Sequence, residues 1–327
     1  MAIASLLKKR IFFFTSVIVI LLALVNSLFA LLFMPGDLTE HKEIIIKQKL
    51  SIHEISHLLK NEGVISNRYF FEIIAKLYSL RRPLKSGEYE FTKGISMYQV
   101  LAKLASGISV IHKLVIIEGQ SVSEIISKIN NEDRLLGQIN TGIPEGYLMP
   151  STYFYSYGDL KEKIIDEMRN NMSKALDEAM KKLAPDSPIK TRKDVLILAS
   201  IVEKEAGNNK EKPLIAGVFI NRLNKGMRLQ ADPTIIYAIT MGKTKMPRLL
   251  SRKDLEIDSP YNTYKVSGLP PGAIACPGKL SIEAVASPTK TNALYFVVSG
   301  KGGHNFSSTL DEHNQNVKKY RDQSKSN

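Results

Sequence analysis

Cysteine is almost missing from this chain of 327 residues, and tryptophan is missing altogether. With Cys276 alone, an intramolecular disulfide is impossible and a cysteine-rich zinc site is excluded. Twenty glycines and 14 prolines are too few for a collagen-like or wholly disordered chain. No GxGxxG, P-loop or HExxH pattern occurs, which removes the common nucleotide and zinc-protease signatures. Acidic residues are the scarcer sign of charge: 32 stand against 45 Lys and Arg, a formal net charge of +13. Such a surplus points to an anionic partner, unless it merely solvates the surface. What remains is ordinary for a globular protein, with 44% hydrophobic and 24% charged residues. The length suits two domains with a sizeable core.

The apolar residues cluster first at residues 11–34, where no side chain is charged. At about 1.5 Å per residue, this run spans a hydrocarbon core of about 30 Å. Lys8, Lys9 and Arg10 precede it, and Asp37 and Glu40 follow. The expectation is a transmembrane helix over 11–34, a cytoplasmic tail over 1–10 and residues 35–327 outside an inner (plasma) membrane. The alternative is a cleaved signal peptide, but the run is too long and residues 34–37 make a poor cleavage site. Beyond the run, 42 basic residues still face 32 acidic ones. Outside the membrane, cell-wall polymers or lipid headgroups fit that charge, and no nucleic-acid partner is expected.

After a linker over 35–42, three segments repeat one pattern: a short apolar strand, a tight turn, then Ser-x-x-Glu/Gln opening an apolar helix. The caps are Ser51 with Glu54, Ser96 with Gln99, and Ser121 with Glu124. Gly94 and Gly119 supply permissive backbone ahead of two of them. Helices are expected near 51–61, 96–106 and 121–130. A fourth, over 67–80, carries Tyr69, Phe70, Ile73, Ile74 and Leu77 at helical spacing. The region 43–131 resembles the LysM-like domain, a βα module that binds the GlcNAc backbone of wall glycans. A spacer holding the next domain off the membrane is the structural alternative.

Residues 160–183 read as an amphipathic helix ended by the prolines at 185 and 188. Thr191 and Asp194 then cap a helix running to about 206, with Gly207 as its stop. At about 100° per residue, Glu205 falls among Val195, Leu198, Ile201 and Val202, while Glu203 falls beside Leu196 and Ser200. Glu205 is therefore expected in the core or a cleft. Desolvation and the helix C-terminus both favour its protonated form, which suits a general acid. A buried ion pair is the structural alternative.

The segment 199–205, Ala-Ser-Ile-Val-Glu-Lys-Glu, resembles the signature of the endolytic murein (peptidoglycan) transglycosylases, the MltG/YceG-like family. Further blocks agree in order: 145–153 (EGYLMPSTY), 218–223 (VFINRL), 227–234 (MRLQADPT), 261–264 (YNTY), 268–274 (GLPPGAI) and 302–306 (GGHNF). Ala206 and Cys276 depart from the residues expected at their positions.

This resemblance implies an α+β fold: a single transmembrane helix, a LysM-like βα domain, a mixed α+β catalytic domain over 132–322 and a tail over 323–327. It implies lytic cleavage of the MurNAc–GlcNAc bond of nascent peptidoglycan by Glu205, leaving 1,6-anhydro-MurNAc ends and terminating strand elongation. Glu145, Asn221, Gln230, Asp232, Tyr261, Asn262 and Tyr264 are the candidate substrate-binding residues. Peptidoglycan synthases are the implied protein partners. The rivals are a water-using muramidase and a non-catalytic glycan-binding scaffold. No metal and no other cofactor is expected, because His304, Asp311, Glu312 and His313 match no ligand spacing.

Overall fold

The structure, a computed structural model, describes residues 2–140, 142–300 and 302–325. Met1 of the expected N-terminal tail and residues 326–327 of the expected C-terminal tail lie outside them. It is a mixed α+β protein that divides into two compact units, Met1–His112 with Tyr155–Asp159 and Lys113–Phe154 with Leu160–Asn327.

The first unit opens with helix α1 (Ala2–Phe33), of which Leu7–Phe33 is long and apolar enough to cross a membrane. Strand β1 (Lys42–Ile46), helices α2 (Ile52–Asn61) and α3 (Arg68–Ser79), strand β2 (Gly87–Phe91) and helix α4 (Met97–Ser106) follow. The two strands pair antiparallel, with Ile44 opposite Tyr89. Alternation along β1 turns Ile44 and Ile46 inward, onto a core of Leu59, Phe71, Tyr89, Phe91 and Leu101.

Strands β3 (Ile111–Val115) and β4 (Thr152–Ser156) carry the chain across the division, and helix α5 (Val122–Asn130) lies between them in sequence. All three expected capping boxes form. The Ser51, Ser96 and Ser121 hydroxyls accept from the N–H groups of Glu54, Gln99 and Glu124 at 3.2–3.3 Å. The Glu or Gln accepts in return from the serine N–H at 2.7–2.9 Å. Two residues before each serine the backbone is left-handed, at φ 67° for Lys49, 68° for Gly94 and 76° for Gly119. The repeat thus holds a turn that suits glycine, and Lys49 occupies it against its own sterics.

The second unit is mainly helical. It contains α6 (Lys161–Lys182), α7 (Arg192–Glu205), α8 (Lys212–Asn224), α9 (Asp232–Thr240), a 3₁₀ turn at Arg252–Glu256, α10 (Lys279–Ala286) and α11 (Leu310–Lys325). Strands β5 (Tyr295–Val298) and β6 (His304–Ser307) form an antiparallel hairpin. Thr191 caps α7 as expected, with the Asp194 N–H donating to its hydroxyl at 3.1 Å.

Helix α7 is the centre of this unit, packed by α6, α8, α9 and α10. Every residue from Val195 to Val202 is buried, so the helix is apolar all round rather than on one stripe. Its polar Ser200 is satisfied twice: the hydroxyl donates to the Ile197 carbonyl at 2.7 Å and accepts from the Ile274 N–H at 3.0 Å. The helix ends at Glu205, with Ala206 extended (φ −72°, ψ 120°). Gly207 is not its left-handed stop; the chain leaves the helix one residue sooner, with the Ala206 N–H still donating to the Val202 carbonyl at 3.0 Å.

Candidate active site

The last turn of α7 presents two glutamates to different surroundings. Glu203, whose side chain is 8% exposed, is fully engaged. Lys212 Nζ at the start of α8 lies 3.0 and 3.1 Å from its two oxygens, and this lysine is itself 3% exposed. The Ser281 hydroxyl donates to Glu203 at 2.6 Å and the Gly278 N–H at 3.0 Å. Glu203 therefore also closes the N-terminus of α10, where a negative charge is favoured. The sequence raised a buried ion pair as the alternative for Glu205; the neighbouring glutamate makes that pair.

Glu205 accepts no hydrogen bond and makes no ion pair among the described residues. Burial pushes its carboxyl up to about 8, the nearby Asp232 carboxylate adds to the rise, and the Arg222 guanidinium opposes it. A carboxyl raised this way keeps its proton at neutral pH, and among the described residues it has no partner to surrender it to.

Two groups face it from other elements. Asp232 is the first residue of α9, set there by Pro233 in the first turn, and its Oδ1 accepts from the Tyr264 hydroxyl at 2.5 Å. Burial, and then Asp232 itself, push the Tyr264 phenol up, so it remains a donor. Arg222, on α8, was not among the residues chosen from sequence. The available signal was an arginine within the apolar run 215–223. It is buried, and its guanidinium donates to the carbonyls of Leu294 at 2.6 Å, Leu229 at 2.7 Å and Arg228 at 3.3 Å. It thereby pins the segment leading to Asp232 while leaving its positive charge uncancelled by any carboxylate ion pair among the described residues.

The other sequence-chosen residues divide by partner. Asn262 is fully buried; its amide donates to the Leu255 and Ile257 carbonyls at 2.9 and 2.8 Å, and its oxygen accepts from the Tyr264 N–H at 2.9 Å. Asn221 donates to the Thr291 and Ala293 carbonyls at 2.7 and 3.0 Å. Both amides hold loops. Gln230 is exposed at φ 50°, two residues before Asp232, with its N–H bound to the Thr263 carbonyl at 3.1 Å.

Glu145 accepts from the Val122 N–H at 2.8 Å, and burial raises its carboxyl. Its charge acts on Tyr237 and Tyr261, whose rings lie 4.8 Å apart, and burial raises both phenols. Gly242 (φ +68°) completes this corner, because a Cβ there would stand 2.8 Å from Glu145 Oε2. Cys276 is fully buried, with its Sγ 3.9 Å from Glu145 Oε1.

A cavity of about 510 Å³ opens beside Asp232, lined by Ser121, Lys204, Pro233, Tyr237, Gly242 and Ile274 among others. It is within the usual size range for a small-molecule site. A larger cavity of about 570 Å³, lined by Glu118, Asn171, Lys174 and Lys279, contains none of the sequence-chosen residues. His304 is engaged elsewhere: its N–H and Nδ1 lie 2.8 and 2.9 Å from the Glu211 carboxylate.

A helix-centred α+β unit has the makings of an acid catalyst when its raised carboxyl lacks a partner among the described residues and feels the charge of Asp232, which lines a sugar-sized cavity. The chain belongs to the YceG-like family, whose model matches residues 44–319. It is similar to a Bacillus subtilis protein named endolytic murein transglycosylase, at 34% identity over 83% of this chain and 82% of the relative. A Streptococcus pneumoniae protein of the same name is 30% identical over 87% of this chain, which spans 59% of that longer relative. Among solved structures, the crystal structure of a yceG-like protein from Listeria monocytogenes is 35% identical. It superposes with a TM-score of 0.50 over 85% of this chain and 99% of that one.

Proposed function

We infer that this protein is a peptidoglycan lytic transglycosylase that cuts within glycan strands, with Glu205 as its acid and then its base. The single observation that carries the reading is the Glu205 carboxyl: raised to about 8 and without a partner among the described residues. The names of the relatives, endolytic murein transglycosylase, support the substrate and the reaction class.

The chemistry follows from one carboxyl. Protonated Glu205 gives its proton to the oxygen leaving C1 of the N-acetylmuramoyl sugar, and positive charge develops at C1 and the ring oxygen. The Asp232 carboxylate, oriented by Tyr264, stabilises that charge. The C6 hydroxyl of the same sugar attacks C1 and returns its proton to the now ionised Glu205. A 1,6-anhydro end results, no water enters, and the acid is regenerated. Because the nucleophile belongs to the substrate, the paired carboxylates of most glycosidases are not needed. Gln230, Tyr261 and Glu145 are the remaining candidates for contacts to the N-acetyl sugars, while Asn221 and Asn262 shape the loops that carry them.

In this reading α1 is a retained single-pass anchor. Its N-terminus is cytoplasmic and the rest extracytoplasmic, which fits the basic residues before it and the acidic ones after it. The region 43–131 is a LysM-like module, and 132–322 is the catalytic domain. Work close to the membrane on new strands would end their elongation, with peptidoglycan synthases as neighbours.

Digestion of uncrosslinked peptidoglycan strands by the full-length protein, wild type beside Glu205→Gln, tests the reading by product mass. Internal fragments with anhydro-muramoyl ends, absent from the variant, are expected. Reducing ends would mean a water-using muramidase. No products from a folded wild-type protein would leave a glycan-binding scaffold.

A further inference from the structure

Helix α3 is apolar on both sides. Phe71 and Ala75 are buried, and Phe70 and Ile74 pack on the same core. Tyr69, Ile73, Leu77 and Leu80 face outward and are 66, 58, 61 and 82% exposed. At about 100° per residue these four share an arc of about 80°, so they form one stripe rather than scattered singles. Arg68, Lys76, Arg81 and Arg82 border it. The one acidic residue of the helix, Glu72, is held by Lys76 at 2.8 Å and His53 at 3.1 Å. An apolar stripe edged by surplus positive charge is the pattern of a helix lying in a lipid interface.

The position of the stripe within its unit points to the same occupant. Leu31, Met34 and Pro35, at the end of α1, share a cavity of about 230 Å³ with Val64, Ile65 and Ser66. Those last three residues lead directly into Asn67, the cap of α3. Leu32 also packs on the core that α3 covers. The helix long enough to span a bilayer therefore emerges beside the first turn of α3.

We propose that the outward face of α3 docks on the anionic lipid surface that α1 spans. This rests on the anchor reading of α1. Tyr69, Ile73, Leu77 and Leu80 enter the interface, while Arg81 and Arg82 meet acidic headgroups. The unit is thereby held down against the bilayer rather than swinging from its linker.

The absence of tryptophan makes the test direct, because Leu77→Trp introduces the sole indole at an exposed site. The full-length variant is reconstituted in vesicles containing anionic lipid and acyl chains brominated near the headgroup. Quenched, blue-shifted emission is expected. Arg81→Gln with Arg82→Gln shifts the docked equilibrium by about 25-fold towards the undocked state, at about fivefold per charge. A companion Phe14→Trp protein reports on α1 alone. If Phe14→Trp is quenched and Leu77→Trp is not, α3 faces something other than lipid and the proposal is overturned. If neither is quenched, the anchor reading has failed and the proposal falls with it. Equal quenching of Leu77→Trp in purely zwitterionic vesicles would overturn the requirement for anionic lipid.

Discussion

Around Glu203, at the end of α7, a lysine, a serine hydroxyl and a backbone N–H converge on one carboxylate. Around Glu205, two residues on, there is burial that raises its pKa, an aspartate that adds to the rise and an arginine that only tempers it. The contrast teaches that residue type and sequence spacing do not set the role of a carboxylate; its partners do. A glutamate with its hydrogen bonds satisfied holds three helices together. A glutamate left without them keeps a proton that it can give away.

The largest effect expected from this contrast is on rate. Glu205→Gln should lower glycan cleavage by about 10²–10⁴-fold, the usual contribution of a positioned acid–base group, with no loss of melting temperature. Glu203→Ala should do the reverse. It strands the buried Lys212, and urea unfolding should report about 3 kcal/mol of lost stability, the low end for a broken buried pair because Glu118 stays 3.3 Å from Lys212. Adding Lys212→Met should recover most of that loss.

The pH dependence sharpens the same comparison. Cleavage needs protonated Glu205, so the rate should fall as pH rises through about 8. Asp232→Asn removes a charge that raises this carboxyl, so the alkaline limb should move to lower pH. Stability carries the matching sign: between about 4.5 and about 8 the folded chain holds a proton that the unfolded chain has released. Stability from this group therefore declines as pH rises across that window, and Glu205→Gln should remove the slope. The smallest effect is that of Ser281→Ala, which deletes one hydrogen bond to Glu203. It should cost about 1.5 kcal/mol in unfolding experiments and leave cleavage intact.

Much of this was legible before the structure. The capping boxes at Ser51, Ser96, Ser121 and Thr191 are local, so three or four residues suffice to specify them. Helical periodicity placed Glu205 among apolar residues, but α7 is buried all round and Glu203 is as enclosed, so only the partners separate the two glutamates. Periodicity misled at α3, where Tyr69, Ile73 and Leu77 read with Phe70 and Ile74 as one apolar face; the structure buries only the far side. Nothing local distinguishes a stripe that meets the core from one that does not. Partners distant in sequence were also invisible. Glu203 meets Lys212 and Ser281, Asn221 meets carbonyls some 70 residues away, and Arg222 reaches Leu294. The end of α7 at Glu205 was hidden for another reason: Ala206 carries no stop signal, and Gly207 suggested one too late.

A carbon-13 NMR titration of the Glu205 side-chain carboxyl, assigned by its loss in Glu205→Gln, reads out whether this group holds its proton at neutral pH. A midpoint near 8 is expected, moving down in Asp232→Asn. A midpoint in the ordinary glutamate range, near 4.5, would contradict it, since Glu205 would then be ionised at neutral pH with no proton to give.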